Sequence, residues 1–404
     1  MQRTMPPVAA MIAWTDLVHG MAGMLIGKRY LRALEAEVKA YFGVKHVFLF
    51  SSGKAALTIL LKALKALAPE RDEVIIPAYT CYSVPAAVMK AGLKVALCDI
   101  DPRSFDFDYR LLPGVMNEKT LCVLPTHLFG IPADVERAAA ISKERSIYVV
   151  EDAAQAMGAE LQGKKLGTNG DAGLFSLGRG KNITAGSGGI IVTDHERIAE
   201  AMRKEYAQLL FPGIGRNVLS IIEQLIMKIF IQPSLYWIPA GMPSLHLGQT
   251  LFPREYAITR LSGVKAGFLR GWPKRLIDAN ETREKAGSFY SRELSGKTVH
   301  QAGPAYLRFP LMLSDRSERD QAYAQLRRYG ASLMYPFSIN EVPEIRDQFS
   351  DCACPAAKRT AERLIALPTH HLLAGGDRLT LCSMLRNDRV KASGSGGVPE
   401  GLNA

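Results

Sequence analysis

Three short segments of this chain place reactive side chains beside glycine. The first is Ser51-Ser52-Gly53-Lys54, between the apolar run Val47–Phe50 and a helical pattern over Ala55–Leu67. A turn of this kind leaves free N–H groups at the positive end of a helix dipole, which suits a phosphate, although any tight strand-to-helix turn can use glycine. In the second, Ile147–Val150 runs into Glu151-Asp152-Ala153-Ala154-Gln155. A carboxylate there suits a metal ligand, a base or a partner for a protonated heterocycle, and no further ligands stand at metal spacing. The third runs from Ser176 through Gly178-Arg179-Gly180-Lys181 to Gly186-Ser187-Gly188-Gly189. A lysine in such a run is either a solvated surface group or a desolvated amine, neutral enough to form a Schiff base. Phosphate cradle, carboxylate and lysine are together what pyridoxal phosphate requires. Lys181 would take the aldehyde and Asp152 the protonated ring nitrogen, while the helix start and a hydroxyl such as Ser176 hold the phosphate.

These residues need a scaffold that brings strand ends together. Apolar runs at Val47–Phe50, Glu73–Ile76, Val95–Asp99, Leu121–Pro125 and Ile147–Val150 read as strands. Helical stretches fall at Leu31–Tyr41, Ala55–Leu67, Val84–Ala91 and Val135–Lys143, and Gly43 suits a helix C-cap. Buried strands alternating with helices predict an α/β fold with a mostly parallel sheet covered on both faces. Ligands then gather at the carboxyl ends of the strands, which is where the three segments lie.

At 404 residues the chain exceeds what one core usually serves, so two domains are expected. We expect an N-terminal arm over 1–30, a large domain over 31–259, a smaller α+β domain over 260–390 and a linker-like tail over 391–404. Apolar residues at 48% and charged residues at 22% exclude a disordered or fibrous chain. The apolar stretch Met5–Trp14 is interrupted by Pro6-Pro7 and fits a docking arm better than a signal peptide. Six irregularly spaced cysteines fit a reduced, cytoplasmic protein. Fifty lysines and arginines against 39 acids leave a charge of +11. That excess suits a phosphorylated ligand or an anionic membrane face; dispersed basic residues and the lack of a nucleic-acid signature leave nucleic acid unsupported. An apolar insertion at about 214–245 contains a helix over Val218–Ile231 whose polar stripe is narrow. Burial between domains or subunits is the first reading of that helix, and peripheral contact with a membrane the second.

The motifs together resemble the DegT-type (DegT/DnrJ/StrS) nucleotide-sugar aminotransferases from about Leu34 to Leu379. Beyond the three segments, the likeness includes Asp72–Pro77 with Thr80, His127–Asp134 and Ala366–His370. The resemblance implies the aspartate aminotransferase fold, a homodimer and pyridoxal phosphate. It also implies transfer of an amino group, from glutamate, to a keto sugar nucleotide for surface polysaccharide or glycoside synthesis. Lys181 corresponds to the Schiff-base lysine and proton shuttle, Asp152 to the ring-nitrogen partner and Gln155 to an amide beside the ring. Ser52, Gly53, Lys54 and Ser176 fall at the phosphate end.

The chain also departs from the pattern. Lys54 replaces a threonine, Ser187 an acid, and Ile258 an asparagine that reaches the partner subunit's phosphate. Cys81 stands where an aromatic residue stacks on the ring, leaving Tyr79 or Tyr82 as substitutes. Two other readings remain open: a sugar dehydratase, against which Lys181 argues because such relatives tend to carry histidine there, and a non-catalytic regulatory or binding protein on the same scaffold.

Overall fold

The computed structural model describes residues 3–245, 247–248, 250–295, 306–350 and 352–393. Seven strands build one sheet: β1 (His46–Phe50), β2 (Glu73–Pro77), β3 (Lys94–Cys98), β4 (Thr120–Val123), β5 (Tyr148–Asp152), β6 (Ala172–Ser176) and β7 (Gly189–Thr193). Their spatial order is β1-β7-β6-β5-β4-β2-β3. Six share one direction, and β7 alone runs against its neighbours β1 and β6. Strands such as Val74-Ile75-Ile76 and Ile190-Ile191-Val192 are fully buried, as expected where both sheet faces are covered. The carboxyl ends of β1, β2, β5 and β6 therefore meet at one edge, and β7 returns the chain from the lysine segment.

Helix α1 runs from Trp14 to Phe42 and ends on left-handed Gly43. The expected arm is thus extended only over residues 3–13; from Trp14 it is the first half of a long helix, bent at Ile26. Sequence periodicity missed this half because its glycines face another helix. A Cβ on Gly23 would lie 2.8 Å from the Val264 Cα, so α1 can approach the backbone near 263 only with glycine there. The extended segment docks on the body. Met5 N–H donates to the Arg328 carbonyl (2.8 Å), and Arg3 pairs with Asp377 (2.9 Å).

Helices α2 (Gly53–Leu67), α3 (Ser83–Lys90), α4 (Val135–Lys143) and α5 (Glu196–Ala207) cover the sheet. The insertion forms α6 (Ile214–Phe230). After it come α7 (Gly263–Phe268) and α8 (Trp272–Glu293). Leu261, Val264, Phe268, Trp272 and Leu276 share a core with α1, β6 and β7, so the stretch just after Arg260 packs on the large sheet rather than apart from it. Beyond it, β8 (Phe309–Met312) pairs antiparallel with β9 (Leu364–Leu367) among helices that include α9 (Arg316–Leu326) and α10 (Pro355–Arg363). The last helix among the described residues, α11, spans Gly375–Ser393. The expected tail lies outside the described residues from 394 onward.

Candidate active site

A cavity of about 170 Å³ opens at the carboxyl edge of the sheet. Ser52, Gly53, Lys54, Cys81, Asp152, Gln155, Ser176 and Lys181 all line it. Eight of the nine expected site residues, scattered over 130 positions of sequence, are therefore brought to one space.

Its first wall is the β1–α2 turn. Ser52 caps α2, its hydroxyl accepting from Ala55 N–H (3.2 Å). A Cβ on Gly53 would come within 3.2 Å of the Ser176 Cβ and Oγ, and one on Gly189 within 2.7 Å of the Gly53 Cα. The turn is thus pressed against β6 and β7, and only glycine lets the helix start and the Ser176 hydroxyl share a corner. Lys54 lies over the Tyr256 ring (4.8 Å), its ammonium pKa lowered by partial burial. Ser187, in place of an acid, donates to the Ser51 carbonyl (2.9 Å) and accepts from buried Lys265. Burial pushes the Lys265 amine down to about 8.

Strand β5 separates its two acids by alternation. Glu151 points beneath the sheet edge to His127 Nε2 (2.9 Å), both side chains fully buried. The Ala133 N–H donates to His127 Nδ1 (2.9 Å), so Nε2 carries the proton and donates to Glu151. Gly167, Asn169 and Gly170 N–H also donate to the same carboxylate. Burial opposes ionisation of Glu151, yet the bond from His127 and these amides hold its carboxyl below the ordinary range. It is a structural anion. Asp152 faces the cavity, accepting from Ala154 N–H (3.0 Å). Burial raises its pKa, and the Lys181 charge partly counters that rise.

Lys181 sits on the loop between β6 and β7. Left-handed Gly180 shapes the turn before it, and the Val8 side chain of the extended segment presses on that glycine. From α8, the Arg283 guanidinium donates to the carbonyls of Lys181 and Asn182 (3.2 Å each). Desolvation lowers the Lys181 amine pKa, an effect that Cys81 and Asp152 oppose. A desolvated lysine facing a desolvated aspartate is the electrostatic signature of a reactive site rather than a surface lysine.

Gln155 is held at both ends of its amide, accepting from Phe129 N–H (3.1 Å) and donating to the Tyr335 hydroxyl (3.0 Å). Tyr82 does not line the cavity. Its hydroxyl accepts from Phe337 N–H (2.9 Å) and donates to the Phe337 carbonyl (3.1 Å), which turns the ring towards the chain after β8. Tyr79 is fully buried against Tyr335. Cys81 is on the cavity wall, and neither Tyr79 nor Tyr82 is. Sequence reading missed Arg283, Arg308 and Tyr335. They lie more than 100 residues beyond Lys181 without periodic or motif context; Arg283 and Tyr335 are buried, and desolvation lowers the pKa of the half-buried Arg308 to about 10.

The corner that a Cβ would fill, the α2 start and the Asp152–Lys181 pair fit a phosphorylated pyridine aldehyde: anion at one end, ring nitrogen and carbonyl at the other.

The chain is similar to known proteins in both sequence and fold. A pleiotropic regulatory protein of Geobacillus stearothermophilus is 39% identical over 175 residues, 43% of this chain and 46% of that one. The chain thus aligns with about half the length of that relative. A UDP-N-acetyl-3-dehydro-alpha-D-glucosamine 3-aminotransferase of Acidithiobacillus ferrooxidans is 28% identical over 346 residues, 83% of this chain and 82% of that one. In fold, the chain is similar to Helicobacter pylori PseC, an aminotransferase involved in the biosynthesis of pseudoaminic acid. That structure has a TM-score of 0.77 at 18% identity, covering 95% of this chain and 99% of the other. The model of the DegT/DnrJ/EryC1/StrS aminotransferase family matches residues 19–386, and the chain belongs to that family.

Proposed function

We propose that this protein uses pyridoxal phosphate to move an amino group, from glutamate, onto the keto sugar of a sugar nucleotide, acting as a cytoplasmic homodimer. The observation that carries this reading is the single cavity shared by Lys181, Asp152 and the β1–α2 corner. When bound, the cofactor supplies a carbonyl that takes up the amino group and a ring that draws electrons from the adjoining carbon.

The residues of the chain do the rest. The α2 N-terminus, Ser52, Gly53 and Ser176 would hold the phosphate, with Lys54 adding a positive charge where a hydroxyl is usual. Asp152 would hold the ring nitrogen in its protonated form; gaining that cationic partner offsets the burial that raises its carboxyl. Lys181, with an amine pKa lowered by burial, is deprotonated more readily at neutral pH than a surface lysine, so its Nζ can both attack a carbonyl and carry a proton. Arg283 fixes the backbone from which Nζ reaches. Gln155, clamped at both ends, would limit sideways motion of the ring.

The test is the long-wavelength absorbance of the cofactor-loaded protein. It is expected to be lost in Lys181→Ala and to shift in the wild type on adding glutamate. Unchanged absorbance in Lys181→Ala would overturn the assignment. A panel of keto sugar nucleotides offered to the amino-loaded enzyme identifies the sugar. The name of the regulatory relative favours a second reading, a non-catalytic regulator. A protein that fails to take up pyridoxal phosphate would support it.

A further inference from the structure

Helix α6 is inside out. Its buried residues are Ser220 and Gln224, whereas Ile214, Val218, Ile222, Leu225 and Ile229 face solvent, Ile214 at 74% exposure. Those five recur at spacings of three and four, one full helix face. Packed beside it, the first half of α1 exposes a matching stripe of Trp14, Val18, Met21 and Leu25, the last at 90%. Lys228 joins the two helices, donating to the Ile12 carbonyl with its ammonium 5.7 Å from the Trp14 ring centre. Trp237 adds a second exposed indole just beyond α6. Two adjoining apolar helix faces exceed the scattered exposed side chains normal for a soluble surface.

The charges around this face decide what covers it. Over 210–255, Arg216, Lys228 and Arg254 stand against Glu223 and Glu255, and Glu255 is paired with Lys90 (2.9 Å). Glu223 is shared between Arg179 (3.6 Å) and Arg216 (3.5 Å). On α1, Lys28 and Arg29 are exposed, and Asp16 is buried against Arg275. A second copy docking here would set one excess of positive charge against another, which costs energy across an interface. An anionic bilayer supplies the complement, and paired indoles at an apolar–polar boundary suit that depth. No helix among the described residues is long and apolar enough to cross a membrane, so contact would be from one side.

We propose that the outward faces of α6 and the first half of α1 form one docking surface for an anionic lipid bilayer. A cavity of about 470 Å³ beneath α6 is lined by Ile226, Leu245 and Leu247 of the exposed region, with Arg179 and Gly180 from beside the lysine on its wall. Docking would place that cavity's mouth at the membrane. The surface is independent of the reaction proposed above.

The experiment is co-sedimentation of the full chain with phosphatidylcholine vesicles, with and without phosphatidylglycerol. Tryptophan emission is recorded in parallel; Trp272 is fully buried, so any shift reports Trp14 and Trp237. Binding is expected only to the anionic vesicles, weaker at high salt, with emission moving to shorter wavelength. The exposed double substitution Ile222→Glu with Ile229→Glu should lower vesicle binding roughly tenfold or more while keeping the oligomeric state seen by light scattering. No binding to anionic vesicles by the wild type would overturn the proposal. A change of oligomeric state in the double variant would overturn it too, by showing that a second copy covers the face. Because no turnover is measured, failure here leaves the aminotransferase reading intact, and loss of cofactor absorbance leaves the docking surface intact.

Discussion

Glu151 and Asp152 are neighbours in sequence with opposite duties, and exchanging each for its amide separates them. The Glu151 Oε2 accepts from His127 Nε2 (2.9 Å) and Gly167 N–H (2.8 Å), and Oε1 accepts from Asn169 and Gly170 N–H. In Glu151→Gln one oxygen becomes an NH2, so two buried donors face a donor. Each unsatisfied group costs about 1–3 kcal/mol, which makes the loss about 2–6 kcal/mol, a large fraction of a typical stability of about 5–15 kcal/mol. Asp152→Asn removes a carboxylate whose ionisation burial already resists, so its stability should stay within about 1 kcal/mol of the wild type or rise. The cofactor contact should suffer instead. A hydrogen bond to a charged partner contributes about 1.5–3 kcal/mol, so affinity for pyridoxal phosphate, or rate with glutamate, should fall roughly 10- to 150-fold. Urea unfolding and a cofactor titration on both variants measure the two effects. The wild type also carries a signed pH dependence. The Glu151 carboxyl is held below its ordinary range, so its contribution is present above the unfolded carboxyl pKa and lost as pH falls through the folded one. Glu151→Gln should lack that acid slope. Equal urea midpoints for Glu151→Gln and the wild type at neutral pH would refute the reasoning. So would an Asp152→Asn variant that unfolds early yet binds the cofactor normally.

Gly189→Ala should place a Cβ 2.7 Å from the Gly53 Cα, displacing the β1–α2 turn. Overpacking of this kind costs about 1–3 kcal/mol, and a pyridoxal phosphate titration should show weaker binding even where the fold survives. His370 donates from Nε2 to the Pro6 carbonyl (2.9 Å), and burial lowers its pKa to about 3. Because the unfolded histidine titrates near 6.5, stability should fall as pH drops from that value towards 3. Urea midpoints at pH 7 and pH 5 should differ less in His370→Gln than in the wild type.

Most of the sheet was legible because fully buried parallel strands leave unbroken apolar runs, as at Val74–Ile76. The reactive turn at Ser52–Lys54 and the pair Asp152 and Lys181 were legible because each stands at the end of such a run or within a glycine-rich loop. That Tyr82 lies off the cavity wall was not legible, because position in sequence fixes neither the rotation of a turn nor the partner of its hydroxyl, and the Phe337 backbone claims that group. Arg283 was invisible for the reverse reason. Nothing around it in sequence is unusual until α8 brings it under the Lys181 carbonyl.

Charge, apolar periodicity and the order of the three motifs determined the fold class, the cofactor chemistry expected and the residues to test. They also determined that α6 is a helix with a narrow polar stripe. Only the tertiary structure decided which way each element faces. It turned Glu151 inward and Asp152 to the cavity, and it extended α1 back to Trp14. It also set Ser220 and Gln224 of α6 inward with the isoleucines outside. Periodicity reports that a helix has two unlike faces, but which of them meets protein depends on the elements that arrive from elsewhere in the chain.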